Sequence, residues 1–365
     1  MKNVISHFCF EGEVIDVVPY GNGHINDTYL LRYKDNKEIV KVIIQKMNTD
    51  IFKKPIEVMD NIMNVTSFLR KQIIHNNGDP NRETMTIFLT KDNKPYYIDE
   101  NGHYWRSFRF IDGATSYDEV KCDEDFYESA YSFGRFQYLL NDFSAQTLYE
   151  TIPDFHNTKD RYQKFLKAVE EDKCDRVKEV QQEINFVLNH EDIANILGDM
   201  LDNGELPLRV THNDTKLNNI MIDDRTHKGI CVIDLDTVMP GLSVNDFGDL
   251  IRFGASTASE DEKDLFKVEC DLHLYEICTK GYIEGCNGSL TLNEIKALPI
   301  GAKVMTFECG MRFLTDYLQG DTYFKTHYPD QNLDRCRTQF KLVSDYEKKW
   351  DKMNEIVMKC YKEKK

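Results

Sequence analysis

The chain has 365 residues, 30% of them charged and 41% hydrophobic, a balance typical of a folded protein and not of a disordered one. That length exceeds one compact core and suits two lobes. The formal net charge of −16 excludes a polyanion binder, since no Lys/Arg-rich block appears outside the tail Lys362-Glu363-Lys364-Lys365, which reads as a solvated chain end.

The ten cysteines form no C-x-x-C pair, so neither a zinc site nor a redox motif is expected, and several lie in apolar stretches as small core residues. The first residues hold one lysine and no apolar signal-peptide segment, and no apolar run approaches the about 18 residues of a membrane span. A reduced, cytoplasmic protein is expected, with no nucleic-acid or membrane partner.

In chain order, 13–18 and 28–33 are β-rich and flank Tyr20-Gly21-Asn22-Gly23, and 38–46 follows a polar turn. β-rich runs joined by such turns predict a hairpin-built antiparallel sheet. From Pro55 to about 74, Ile56, Met59, Ile62, Met63, Phe68, Leu69 and Ile73 approximate the period of an amphipathic helix, with the proline in its first turn. Strand-like runs return at 84–90, 94–98 and 103–111. Beyond Asp112-Gly113 helical patterns take over, at 126–140, 159–169, 175–188 and 193–201, and again from about 292. Two short β-rich runs, 219–222 and 229–235, interrupt them. The expected organisation is α+β, with a small antiparallel β N-lobe (1–111) holding one main helix, and a larger, mostly helical C-lobe (112–365).

The strongest motif is Thr211-His212-Asn213-Asp214-Thr215-Lys216-Leu217-Asn218-Asn219, followed by Val232-Ile233-Asp234-Leu235-Asp236. It fits H-x-D-x-x-x-x-N and then a hydrophobic strand ending in Asp. Phosphoryl transfer needs a carboxylate beside the attacking hydroxyl and oxygen ligands for the magnesium that neutralises the phosphates. Asp214 is therefore assigned as catalytic base, Asn219 and Asp234 as metal ligands, and His212 as a brace. The bland alternative is a set of turn-forming residues around a hairpin. Asp246-Phe247-Gly248 looks like a kinase D-F-G but lies thirty-two residues after Asp214. In related folds an Asp at this place caps the catalytic-loop backbone from a helix start, and Asp246 or Asp249 before Leu250 fits that role.

For the nucleotide, Gly21 and Gly23 would let backbone N–H groups approach phosphates, although Gly-Asn-Gly is equally a plain hairpin turn. Lys46 is the first choice for a phosphate contact and Lys41 the second, with Glu57 or Asp60 as acidic partners; a surface lysine is the alternative. Adenine is expected against the backbone near Phe108 and Phe110.

At these residues the chain resembles the aminoglycoside phosphotransferase superfamily, with its protein-kinase-like two-lobed fold, and more closely the bacterial N-acetylhexosamine 1-kinases. The subgroup likeness is carried by Gly21-Asn22-Gly23-His24-Ile25-Asn26, Arg252-Phe253-Gly254, Gly310-Met311-Arg312 and Gly320-Asp321-Thr322-Tyr323. Where the subgroup has Gln-Arg-Met-Asn, this chain has Gln45-Lys46-Met47-Asn48, which keeps the charge without the bidentate fork. The resemblance implies transfer of the ATP γ-phosphate to the C1 hydroxyl of N-acetylglucosamine or N-acetylgalactosamine with Mg²⁺, and sugar contacts from His24, Asp214, Phe253, Arg312 and Tyr323. For Phe253 and Tyr323 the alternative is core packing, and for Arg312 a salt bridge. Rival readings are an aminoglycoside or other small-alcohol kinase and a non-catalytic nucleotide-binding scaffold. Nothing in the sequence implies an oligomer, and a monomer is expected.

Overall fold

The computed structural model describes residues 1–21, 25–36, 38–117 and 122–364. The chain divides into two compact units, one of Met1–Ser116, Asp142–Pro153 and Asn219–Pro240, the other of Tyr117–Asn141, Asp154–Asn218 and Gly241–Lys365.

The first unit is built on a five-stranded antiparallel sheet. Its strands β1 (Glu13–Pro19), β2 (Asp27–Asp35), β3 (Glu38–Lys46), β4 (Tyr97–Ile98) and β5 (Tyr104–Arg109) lie in the order β1-β2-β3-β5-β4. Strand alternation sends Leu31, Tyr33, Val42, Ile44 and Trp105 into one apolar cluster, closed by Val4, Ile5 and Phe8 from the N-terminal segment. The opposite face brings Thr28, Gln45 and Arg106 into one row, because Thr28 pairs with Gln45 and Gln45 with Arg106. The helix Pro55–His75 starts on its proline and buries Val58, Met59, Ile62, Val65, Leu69 and Ile73; Ile56, expected on that face, is exposed.

Residues 84–90 do not form the expected strand. They lie alongside β5 through Phe88 N to Ser107 O (2.9 Å) and Arg109 N to Thr86 O (2.8 Å), and otherwise make isolated bridges at Ile87 and Thr90. Their hydrogen bonds are divided between β5 and the N-terminal segment, where Cys9 N reaches Leu89 O (3.1 Å), so no continuous ladder builds. The same unit holds a second antiparallel sheet of Ala114–Thr115, Ile220–Asp223 and Gly229–Val232.

The second unit is helical. Its longest helix, Leu292–Leu318, opens with a capping box between Thr291 and Glu294 and is buried along most of its length. Helix Ser243–Gly254 packs on it at glycines: a Cβ on Gly301 would lie 2.1 Å from Val244 O, and one on Gly248 2.4 Å from Gly301 O. Only glycine allows that approach, which seats the Asp246 turn close against the long helix. The expected helices at 126–140, 159–169 and 193–201 form as Asp123–Leu139, Thr158–Glu171 and Glu191–Asp202, whereas 175–188 splits into a short 3-10 turn, Val177–Glu179, and Gln181–Asn189. Cys270, Cys278, Cys286, Cys336 and Cys360 are buried in this unit, as small apolar residues would be, and Cys231 is buried in the first.

Candidate active site

The loop 211–216 of the second unit is held by two acids from helix Ser243–Gly254. Asp246, 1% exposed, accepts from His212 N (2.9 Å), Asn213 N (2.8 Å) and Gln137 Nε2 (3.0 Å). Asp249 accepts from Thr215 N (3.1 Å) and holds Arg252. Both acids thus take the capping role that the sequence had offered to one or the other. Burial pushes the Asp246 carboxyl above its ordinary range, opposed by the two backbone amides and Gln137. His212 is fully buried, edge-on to Phe133 (5.2 Å) and Phe136 (6.1 Å), a brace placed between rings. Asn213 has φ 65°, a left-handed conformation that Asn tolerates. These contacts fix the backbone on both sides of Asp214, which is half-buried and lies 2.8 Å from Lys216 Nζ. Burial works against the Lys216 ammonium, but Asp214 and Asp249 outweigh it and raise its pKa.

Within the same unit, Phe253 is 39% exposed, with the Arg252 guanidinium 3.7 Å and Lys216 Nζ 5.7 Å from its ring centroid. Tyr323 is 64% exposed, so neither aromatic is core packing. Its turn is built by Asp316, whose carboxylate accepts from Thr322 N (2.9 Å), Tyr323 N (2.8 Å) and Phe324 N (2.9 Å). The Arg312 guanidinium lies 5.7, 5.9 and 5.4 Å from the rings of Phe155, Tyr323 and Phe324. One turn earlier on the helix, buried Glu308 accepts from Thr158 Oγ1 (2.6 Å) and pairs with His156 Nδ1 (2.9 Å). Burial favours the neutral acid, yet His156, Arg312 and Thr158 hold Glu308 below the usual carboxylate range. Arg161 also joins this region, its pKa lowered by burial and by Arg312.

In the first unit, a hairpin brings Asn219 and Asp234 to one end. Ile220 pairs with Val232, and Ile233 N donates to Asn219 O (2.9 Å), so Asn219 stands across from the residue before Asp234 at the same end of the ladder. Asp234 has φ 57° and is exposed. An amide oxygen and a carboxylate are the hard ligands that Mg²⁺ takes, its remaining positions going to water and substrate phosphates. Among the described residues no group of three His, Cys, Asp or Glu gathers into a metal cluster.

The second acid of the Asp-Leu-Asp run has a different task, which the sequence reading left unassigned. Asp236 is 4% exposed and Arg106 2%. Arg106 binds both Asp236 oxygens, with Nη2 at 2.9 Å from Oδ2, and Asn26 Nδ2 adds a 2.8 Å bond to Oδ2. Arg106 Nε donates to Gln45 Oε1 (3.0 Å), Gln45 Nε2 to Thr28 Oγ1 (3.0 Å), and Thr28 Oγ1 to Asn26 O (3.4 Å). The five residues close a ring of hydrogen bonds. Asn61, from the helix Pro55–His75, fastens the following residues by donating to Val238 O (3.0 Å) and Tyr149 O (2.8 Å).

The expected nucleotide residues fall in two places in this unit. Gly21, at φ 79°, follows Tyr20, whose ring meets Phe110 edge-on (5.7 Å), and Lys41 Nζ lies 5.1 Å from the Phe110 centroid and 2.6 Å from Asp112. Lys46 instead pairs with Asp27 (2.7 Å), and that hydrogen bond raises its pKa. Glu57 pairs with Lys54 (3.1 Å) and not with either strand lysine. Phe108 is buried in the sheet opposite Ile43, 5.1 Å from the Arg106 guanidinium. Gly23 and His24 lie outside the described residues.

An antiparallel β unit bearing an Asn/Asp hairpin, and a helical unit bearing a braced His-x-Asp loop, define the kinase-like phosphotransferase class. The chain belongs to the phosphotransferase enzyme family (APH), whose model matches residues 16–267. In fold it is similar to an aminoglycoside phosphotransferase from Alicyclobacillus acidocaldarius, at 13% identity and TM-score 0.60, covering 100% of this chain and 96% of that one. It is similar also to an ethanolamine kinase from Plasmodium vivax, at 16% identity and TM-score 0.52, covering 89% and 82%. A spectinomycin phosphotransferase in complex with ADP and spectinomycin is likewise similar, at 12% identity and TM-score 0.52, covering 98% and 96%.

Proposed function

We propose that this phosphotransferase is an ATP-dependent N-acetylhexosamine 1-kinase. The observation that carries the substrate class is the surround of Arg312: three aromatic rings, with Arg161 in electrostatic reach and one acid, Glu308, already occupied by His156 and Thr158. Exposed rings suit the apolar face of a sugar, and an arginine suits its acyl carbonyl and hydroxyls. With Glu308 already bonded to His156 and Thr158, the same surround disfavours a polycationic aminoglycoside. The net charge of −16 favours cationic acceptors at long range. Screening beyond about 8 Å leaves the local arginines dominant once the acceptor is docked.

In this reading Asp214 orients the anomeric hydroxyl and takes its proton as the oxygen–phosphorus bond forms and the β,γ-bridging bond of ATP breaks. Lys216, 2.8 Å from that carboxylate, holds it in place beside the hydroxyl. Asn219 and Asp234 would hold Mg²⁺, which neutralises charge on the phosphates. The nucleotide is assigned to the side of the first unit that carries Tyr20, Gly21 and Phe110, with Gly23, Lys46 and Phe108 as the further contacts expected from sequence. Sugar contacts are assigned to Phe253, Arg312, Tyr323 and His24. ATP and the sugar are the only partners required, and a cytoplasmic monomer meets the chemistry. Among the described residues no helix is long and apolar enough to cross a membrane.

The test is incubation of N-acetylglucosamine and N-acetylgalactosamine with ATP and Mg²⁺, with ³¹P and ¹H NMR locating the phosphate. Phosphate on C1 is expected. Phosphate on C6, or turnover only with kanamycin-like or choline-like acceptors, would overturn the substrate class and leave the family membership standing.

A further inference from the structure

We propose that Arg252 is a positioning residue that locks the Phe253 ring to the loop carrying Asp214. This rests on the reading of Phe253 as an acceptor contact and of Asp214 as the base. A guanidinium is flat, so its face can stack on a ring while its N–H groups, lying in the same plane, donate sideways to carboxylates. Arg252 does both. Its Cζ lies 3.7 Å from the centre of the Phe253 ring, its Nε (3.1 Å) and Nη2 (3.0 Å) donate to Asp249 Oδ1, and its Nη1 donates to Glu260 Oε1 (2.7 Å). Asp249 Oδ2 accepts from Thr215 N (3.1 Å), the residue directly after Asp214. One carboxylate therefore grips both the loop of the base and the plane against which Phe253 rests. Lys216 closes the circuit, with Nζ 2.8 Å from Asp214 and 5.7 Å from the centre of the Phe253 ring. All of these residues belong to the helical unit. Phe253 is 39% exposed and Arg252 only 8%, so the ring meets solvent while its support does not. An acceptor lying against the ring is thereby held at a fixed offset from the Asp214 carboxylate, and a misplacement of about 1 Å costs about a hundredfold in rate.

The experiment is steady-state kinetics of the full chain for the wild type, Arg252→Lys, Phe253→Ala and the double variant, with thermal unfolding as the check on folding. It uses the acceptor that is turned over, N-acetylglucosamine being the one expected. Arg252→Lys keeps the charge that Asp249 and Glu260 need and loses the plane. It should lower kcat/KM for the acceptor by about tenfold, through a higher acceptor KM and a lower kcat, with the ATP KM within about threefold of the wild type. In the Phe253→Ala background the same change should cost less than about threefold, because the ring it supports is gone. Equal costs in the two backgrounds, or a fall in kcat with the acceptor KM unchanged, would leave Arg252 a merely structural residue and overturn the lock alone. Should Arg252→Lys fail to fold, Glu260→Gln, which removes one anchor of the guanidinium, goes through the same cycle under the same criterion, with about a threefold loss expected. A Phe253→Ala variant with the wild-type acceptor KM would overturn the placing of Phe253 at the acceptor, and this proposal with it.

Discussion

Two buried aspartates each brace a segment of their own unit, and they do so by opposite means. Asp236, in the β unit, is answered by a full positive charge and a side-chain amide. Asp246, in the helical unit, is answered by backbone N–H groups and Gln137. Dipoles compensate a buried carboxylate less completely than a guanidinium does, and burial raises the Asp246 pKa accordingly. A carboxylate that only grips backbone can rely on dipoles. One that fixes a turn from the side of a sheet needs a partner of fixed geometry, and the fork of arginine supplies it.

The largest expected effect concerns the group that the Asp246 brace presents. Asp214→Asn should lower kcat by about 10²–10⁴ with ADP affinity nearly intact. Steady-state kinetics beside calorimetry measure both, and retained turnover would remove Asp214 from the base role. Next come the braces. Asp236→Asn strips the Arg106 charge of its counterion and should cost about 3–5 kcal/mol, while the double change Arg106→Met with Asp236→Leu should recover most of it. Asp246→Asn, which loses bonds but strands no cation, should cost about 1–3 kcal/mol. Urea unfolding of the four chains ranks them, and equal costs at the two sites would erase the contrast drawn here.

Tyr323→Ala and Arg312→Ala should raise the sugar KM by about tenfold or more each, with the ATP KM unchanged, as expected for lost interactions made equally in ground and transition states. A change in the ATP KM instead would move these residues away from the acceptor.

The smallest effect is one of pH. Asp99 accepts from Trp105 Nε1 (2.9 Å), His103 N (3.0 Å) and Asn101 N (2.9 Å), and these donors overcome its desolvation and bring its pKa down to about 2. Its contribution is present above pH 3.8 and lost as the pH falls toward 2, so Asp99→Asn should flatten the acid limb of the stability curve by roughly 1 kcal/mol. Asp246 has the opposite sign. Its raised pKa favours the folded state at low pH and loses that contribution as the pH rises through the folded value, so Asp246→Asn should steepen the same limb. Unfolding free energies measured from pH 5 to pH 2.5 separate the two.

Local patterns made much of this readable. The hairpin strands and the helix after Pro55 rest on alternation and a period of 3.6, which are visible in one dimension, whereas the capping role of the Asp246 turn came from likeness to related folds. The Asp236 ring was not readable. It depends on the register of β2, β3 and β5, which places Thr28, Gln45 and Arg106 in a row, and no spacing in the chain predicts that Arg106 would meet an acid 130 positions later. The division of hydrogen bonds that keeps 84–90 from forming a ladder is equally non-local. Exposure removes the core-packing alternative for Phe253 and Tyr323, which depends on neighbours that the sequence does not show.

The ring also constrains how this protein can change over evolutionary time. Loss of the positive charge at Arg106 leaves Asp236 buried without its counter-charge, and loss of Asp236 does the same to Arg106, so either step by itself passes through a poorly folded ancestor. In related chains the two positions should therefore be inherited as a pair, both charged or both apolar. Where both are apolar, Gln45 loses its guanidinium donor and Asn26 its carboxylate acceptor, so both become free to drift.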